Sequence, residues 1–398
     1  MKYWRGYLTA AIIAAITIAI MKLGEKFGAI VDMIYPYVVR TLQDMLAAWS
    51  GSVSFCLWQM VLLAIIVVVL ATLVLALIFK WNLIQWFGWV LTGAASIFLC
   101  HTLIYGINYY AGPLSDDIRM EMREGYTAEE LADAAIYYRD KANELANTVD
   151  RNADGTPKFP DFDTLAAQAG NGFDSLVYEY TFPTFAGTNQ AVKKLGWADL
   201  YTSMGITGVT MGLTGEAAVN PQIPAVSLPF TMAHEMCHRK CIASERDANF
   251  GAFLACMAND SIEYQYSGYF MAYRYCYNAL ASAGTNEAAA AAARVASGEN
   301  EKLKADMAAY SQFFAENRDD TATAVANAAN DTYLKTSGEE SGIASYGEVA
   351  DLLYSWYYQQ EVLPSITVVE DPFDPFDETQ VDLSGIVNAK PQAEEPAA

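Results

Sequence analysis

The sequence predicts a mainly helical α+β protein in which a three-helix transmembrane anchor precedes one acidic domain. Three observations carry this reading. Hydrophobic residues make up 53% of the 398, yet the formal net charge is −22, a combination that a single soluble domain rarely shows. Nearly all the long apolar runs fall before residue 110, whereas the excess of Asp and Glu falls after Ser115. Within the acidic part, helical periodicities surround one glycine-rich stretch of β-type residues over 196–215,. The chain therefore divides into an anchor over 1–110, a domain over 111–360 long enough for a sizeable core, and an acidic, proline-bearing disordered tail over 361–398.

The anchor is read as spans over 7–21, 57–79 and 83–105, the last bordered by Trp81, Trp86 and Trp89,. The first span follows Lys2 and Arg5; because Met21-Lys22-Leu23-Gly24-Glu25 offers no small-x-small cleavage site, it reads as an uncleaved anchor rather than a signal peptide,. Between the first two spans, 29–49 carries Pro36, Arg40 and Asp44 among apolar residues, which predicts an amphipathic segment at the interface or against the spans,. His101, close to the end of the third span, reads as a packed or interfacial histidine. A cytoplasmic N-terminus and an odd number of spans place the large domain on the extracytoplasmic face of the plasma membrane. The loop charges are mixed, with Lys22, Lys26 and Arg40 outside against Lys80 inside,. Cys56 and Cys100 belong to the spans. Cys237, Cys241, Cys256 and Cys276 are compatible with disulfides outside or free thiols inside.

In the domain, Thr127-Ala128-Glu129-Glu130 is a capping box, and a helix continues over 131–149,. A loop is expected over 158–172, a second helical stretch around 173–180, and extended backbone over 196–215 and 217–227. Pro229 suits a first helical position, and Phe230, Ala233, His234, Cys237, His238 and Cys241 recur at helical spacing,. Ser244 is the expected N-cap of a further helix through Met257. A tyrosine-crowded helix over 263–280 follows, then an alanine-rich helix over 286–295, another over 302–314, a break over 338–342 and a last helix over 346–358.

The chemistry is concentrated in His234-Glu235-Met236-Cys237-His238, which holds two of the chain's three histidines. On a helix, positions i and i+4 lie one above the other, so both imidazoles can turn a nitrogen toward one metal ion. Glu235 lies on the same rim, placed to take a proton from a metal-activated water while the ion polarises a carbonyl. The bland reading is a histidine pair bonded to backbone. A catalytic zinc usually takes a third protein ligand and keeps one position open. A short turn after the first helix lets Glu245 reach the ion, with Asp247 as the rival ligand and Asn249, one turn on, as a partner for a ligand imidazole. Alternatively, both acids merely suit a helix N-terminus. Cys237 and Cys241 cannot close a tetrahedron with the two histidines of one straight helix. Tyr266 or Tyr269 can supply a phenol to a developing oxyanion, although most of these tyrosines read as packing residues.

Glu245-x-x-Ala248-Asn249 after the histidine helix is similar to the third-ligand segment of gluzincin-type metallopeptidases, where the first Glu binds zinc. More of the chain resembles the membrane proteins grouped as domain of unknown function 3810. The likeness is carried by Gly205-Ile206-Thr207-Gly208, Thr214-Gly215-Glu216-Ala217, Asn220, Pro229-Phe230-Thr231, the histidine pentapeptide, Ile242-Ala243-Ser244-Glu245 and Tyr266-Ser267-Gly268-Tyr269. It extends to the N-terminal spans, Asn108-Tyr109-Tyr110, Tyr333-Leu334-Lys335, Ser345-Tyr346-Gly347 and Asp351-Leu352-Leu353. Cys241 stands where that pattern usually has glycine, which would ease the turn between the two helices. The resemblance implies a zincin-like metallopeptidase domain, in which an edge strand beside the site pairs with substrate backbone; 210–219 is the candidate. The expected function is a membrane-anchored zinc metallopeptidase, with Zn2+ on His234, His238 and Glu245, Glu235 as general base, and a peptide or protein substrate. The lipid bilayer is the other partner. The competing class is a membrane scaffold or sensor that keeps a metal site without hydrolysis. No phosphate-binding loop, dinucleotide fingerprint or basic aromatic surface for nucleic acid is present, and Ser203 and Ser267 lack a spare histidine for a triad,.

Overall fold

The computed structural model describes residues 4–364, except 124, 340, 343 and 345–347. The tail from 365 onward and the Ser345-Tyr346-Gly347 motif lie outside the described residues. Among the described residues, three helices are long and apolar enough to cross a membrane: α1 (Arg5–Lys26), α3 (Leu57–Ile78) and α4 (Leu83–Ile104). Helices α1 and α4 approach closely because glycines face each other. A Cβ on Gly6 would lie 2.5 Å from the Gly88 carbonyl carbon, and Thr92 Oγ1 donates to Gly6 O at 2.8 Å, the small-residue contact that packs helices in lipid.

Helix α2 (Gly28–Ser50) joins α1 to α3 and has an inverted amphipathic pattern. Ile30, Met33, Ile34, Tyr37 and Val38 are exposed at helical spacing, whereas Arg40 and Gln43 are buried,. The polar side of the helix donates hydrogen bonds to the acidic domain and to the end of α4. Gln43 donates to Gly212 O at 2.8 Å, Arg40 to Pro183 O at 3.2 Å and Lys240 O at 3.3 Å, and Tyr35 to the carbonyls of Thr102 and Leu103. This helix therefore ties the anchor to the domain through its polar side.

Beyond the 3-10 turn Gly106–Tyr110, the domain is built from α5 (Ala128–Thr148), α6 (Phe162–Tyr178), α7 (Leu228–Arg239), α8 (Glu245–Met257), α9 (Ile262–Ser282), α10 (Asn286–Ala296), α11 (Glu301–Asn317), α12 (Asp320–Ser337) and α13 (Val349–Tyr357). Thr127 and Glu130 close a full capping box at the start of α5,. The expected loop over 158–172 is largely helix. Asp161 caps α6 by accepting from Thr164 N at 2.9 Å, and the glycines read as loop residues permit close helix contact: a Cβ on Gly172 would lie 1.8 Å from Ala255 O. Helix α12 was not foreseen in the sequence.

A small sheet runs in the order β1 (Lys193–Lys194), β3 (Glu216–Val219), β2 (Gly208–Met211), with β3 central, parallel to β1 and antiparallel to β2. The expected edge strand over 210–219 therefore divides into β2, which lies at an edge, and β3, which is central. Buried Glu216 accepts from Leu57 N, Trp58 N and Lys193 Nζ at 2.6–2.8 Å, which fixes the start of α3 to the sheet. The core lies among α5, α6, α7, α8, α9 and α13, with Tyr138, Phe173, Phe250, Phe253 and Tyr264 fully enclosed.

Candidate metal centre

Pro229 lies in the first turn of α7, where a missing N–H costs nothing,, and every residue of this helix is buried. The helix ends in a tight reversal: Cys241 N donates to His238 O at 2.9 Å and Ile242 N to Cys237 O at 3.1 Å, with Cys241 in the left-handed region at φ 74°. A glycine would meet this conformation without strain. The reversal returns the chain at Ser244, the N-cap residue of α8, although its hydroxyl makes no capping bond.

The result is a triangle of donors. His234 Nε2 and His238 Nε2 are 3.1 Å apart, and Glu245 Oε2 lies 3.2 Å from the first and 3.3 Å from the second. Ligand atoms about 2.0–2.1 Å from a tetrahedral ion are separated by about 3.3–3.4 Å, so two imidazoles and a carboxylate at these distances fit a zinc-type ion with a fourth position left over. These three residues form the one His/Cys/Asp/Glu group with metal-holding geometry among the described residues. His238 Nδ1 donates to Ile242 O at 2.8 Å, which leaves the Nε2 lone pair directed at the triangle.

In the metal-free triangle the carboxylate and the imidazoles shift one another. Burial alone would raise the Glu245 carboxyl, but the two imidazoles together outweigh it and hold it well below the usual carboxylate range,. Burial would depress His238, yet Glu245 beside it pushes it up to about 9. Glu235 moves the other way: its burial raises the carboxyl, and the neighbouring imidazoles only partly offset this.

Glu235 is held against β2. Thr210 Oγ1 donates to Glu235 Oε2 at 2.7 Å, and a Cβ on Gly208 would lie 2.3 Å from Glu235 Oε1. A cavity of about 410 Å³ opens over the triangle. It is lined by His234, Glu235, His238 and Glu245, by residues 204–210 including β2, by Tyr105 and Tyr109 beyond α4, and by Ala326, Asn327, Asn330 and Tyr333 of α12.

Four expectations require correction. Tyr266 is fully buried and donates to Asp306 at 2.5 Å, while Tyr269 packs edge-on against Phe253; neither lines the cavity. The tyrosine helix turns these side chains to the core, and the phenols at the cavity belong to Tyr105, Tyr109 and Tyr333. Asp247 is not in the triangle, because its carboxylate accepts from Leu114 N at 3.0 Å and Arg246 Nε at 3.2 Å. Asn249 accepts from Tyr275 at 3.0 Å rather than bonding an imidazole, and both its Nδ2 and His234 Nδ1 are buried without a hydrogen-bond partner. Tyr109 and Tyr333 belong to segments that carried the family likeness, and that was the signal available for them.

A family profile described as "Protein of unknown function (DUF3810)" matches residues 31–354. The chain belongs to this family. It matches no curated protein and no solved structure. The matched region of this DUF3810 member takes in nearly all of α2, then α3, α4, the whole triangle and the cavity-lining part of α12.

Proposed function

We propose that this DUF3810 protein is a membrane-anchored zinc metallopeptidase, with a zincin-like domain of gluzincin type on the extracytoplasmic face. The observation that carries the reading is the donor triangle of His234, His238 and Glu245, with Glu235 buried beside it on the wall of the same cavity. A divalent ion such as zinc, when bound there, polarises a peptide carbonyl and acidifies water. The rest is done by the chain. Glu235, raised by burial, takes the proton of the attacking water and delivers it to the leaving nitrogen; a C–O bond forms, the peptide C–N bond breaks, and an acid and an amine result,. Strand β2 offers an edge with no strand partner among the described residues, to which an extended substrate adds by backbone hydrogen bonds,. Tyr105, Tyr109 and Tyr333 line the same cavity, where a phenol can donate to a developing oxyanion,.

The test is cleavage of a broad peptide library by the purified, zinc-loaded full chain and by Glu235→Gln. A fall of about 100-fold or more in the variant, with zinc retained, is expected. Absence of cleavage by the wild type, or equal behaviour of both proteins, assigns the chain to the metal-bearing scaffold class.

A further inference from the structure

The cavity adjoins the place where the chain leaves the apolar helices. Helix α4 ends at Ile104, and the next residue, Tyr105, is already buried and lines the cavity. Tyr109 follows within the 3-10 turn Gly106–Tyr110 and lines it too. At about 2 Å of rise per residue, this places the cavity wall within roughly 10 Å of the end of the span.

Helix α2 marks the same level. It leaves the end of α1 and leads to the start of α3, so it runs beside the domain-side ends of all three apolar helices. Its exposed stripe of Ile30, Met33, Ile34, Tyr37 and Val38, with Trp49 exposed further along, is as expected of a helix lying at a membrane surface. From its opposite side, Arg40 reaches the carbonyl of Lys240, the residue that ends α7, and Gln43 reaches Gly212 in the turn after β2. One side-chain length thus separates the membrane-surface helix from both the metal helix and the edge-strand hairpin. Asp247, which accepts from Leu114 N, fixes the chain leaving the anchor to the helix that bears Glu245.

We propose that the substrate is the extended juxtamembrane segment of a membrane-anchored polypeptide, cut close to the bilayer surface; this rests on the hydrolase reading above. An extended chain advances about 3.3–3.6 Å per residue, so a segment emerging from the bilayer beside α4 reaches the cavity within its first few residues. A soluble chain, or the distal part of a long ectodomain, must instead be brought down to the surface.

The experiment reconstitutes the zinc-loaded full chain in phosphatidylcholine vesicles with a library of single-span polypeptides. Each carries a randomised, unstructured forty-residue segment on the domain side, and the same segments are supplied free in solution. Mass spectrometry maps the cuts. Cuts concentrated within roughly ten residues of the span, at least about tenfold denser than in the distal half, are expected. Cuts spread evenly along the tethered segments, with free segments cleaved at comparable sites, overturn the inference and leave the hydrolase intact. No cut in either substrate, matched by Glu235→Gln, overturns the hydrolase and the inference with it.

Discussion

The hydroxyl of Thr210 donates to Glu235 at 2.7 Å, joining the edge strand to the acid of the histidine helix. This bond favours the carboxylate over the acid and opposes the upward push of burial,. In Thr210→Val the carboxyl rises further, so the acidic limb of the kcat/KM profile moves to higher pH while zinc content stays unchanged. An unshifted limb would show that Thr210 does not tune the group that limits the rate.

Gly208 sets the second contact of that acid. An alanine there places a methyl group 2.3 Å from Glu235 Oε1 and 2.7 Å from its Cγ, so the carboxylate must swing away from Thr210. Gly208→Ala is expected to lose about 100-fold in kcat, the cost typical of misplacing a catalytic group by about 1 Å. The melting temperature and the zinc content should change little. Full activity in the variant would place Glu235 outside the reaction.

The third ligand can be separated from its rival by titration. Glu245→Gln removes the anionic corner of the triangle, whereas Asp247→Asn changes a group bonded to Leu114 and Arg246. Zinc competition with a chromogenic chelator should show affinity weakened by more than about 100-fold in the first and less than about tenfold in the second. The reverse order would transfer the ligand role to Asp247.

In the metal-free protein the His238–Glu245 pair makes stability depend on pH. His238 is raised from 6.5 to about 9 in the fold, so its contribution is complete below pH 6.5 and disappears as pH rises through 9. Glu245 is depressed, so its share is present above pH 4.5 and is lost only in strong acid. The stability difference between wild type and His238→Gln, measured by denaturant unfolding of the domain fluorescence, should shrink between pH 6.5 and 9. Zinc binding to the wild type should strengthen over the same interval, since the ion displaces the proton. A difference that grows with pH would contradict this pairing.

Much of the site was legible because its chemistry is local in sequence. His234, Glu235, His238 and Glu245 lie within twelve consecutive positions, where helix periodicity and one reversal decide the geometry. The positive φ of Cys241 has the same local origin, as does the capping box at Thr127. What escaped depends on distant partners. Composition alone cannot tell which tyrosines of α9 turn inward, and Tyr266 does so with Asp306, forty residues away, accepting a hydrogen bond from its hydroxyl. Gly170 and Gly172 resemble loop residues until Asn189 is packed on the first and α8 on the second. Tyr105, Tyr109 and Tyr333 reach the cavity only through the docking of α4 and α12 on the domain.

The central claim, that two imidazoles and one carboxylate hold a cation, is tested most directly by elemental mass spectrometry of the full chain purified without added chelator. About one zinc ion per chain is predicted for the wild type, falling to background when His234 and His238 are both replaced by asparagine in a protein that still folds. Equal, background metal in the two proteins would contradict it.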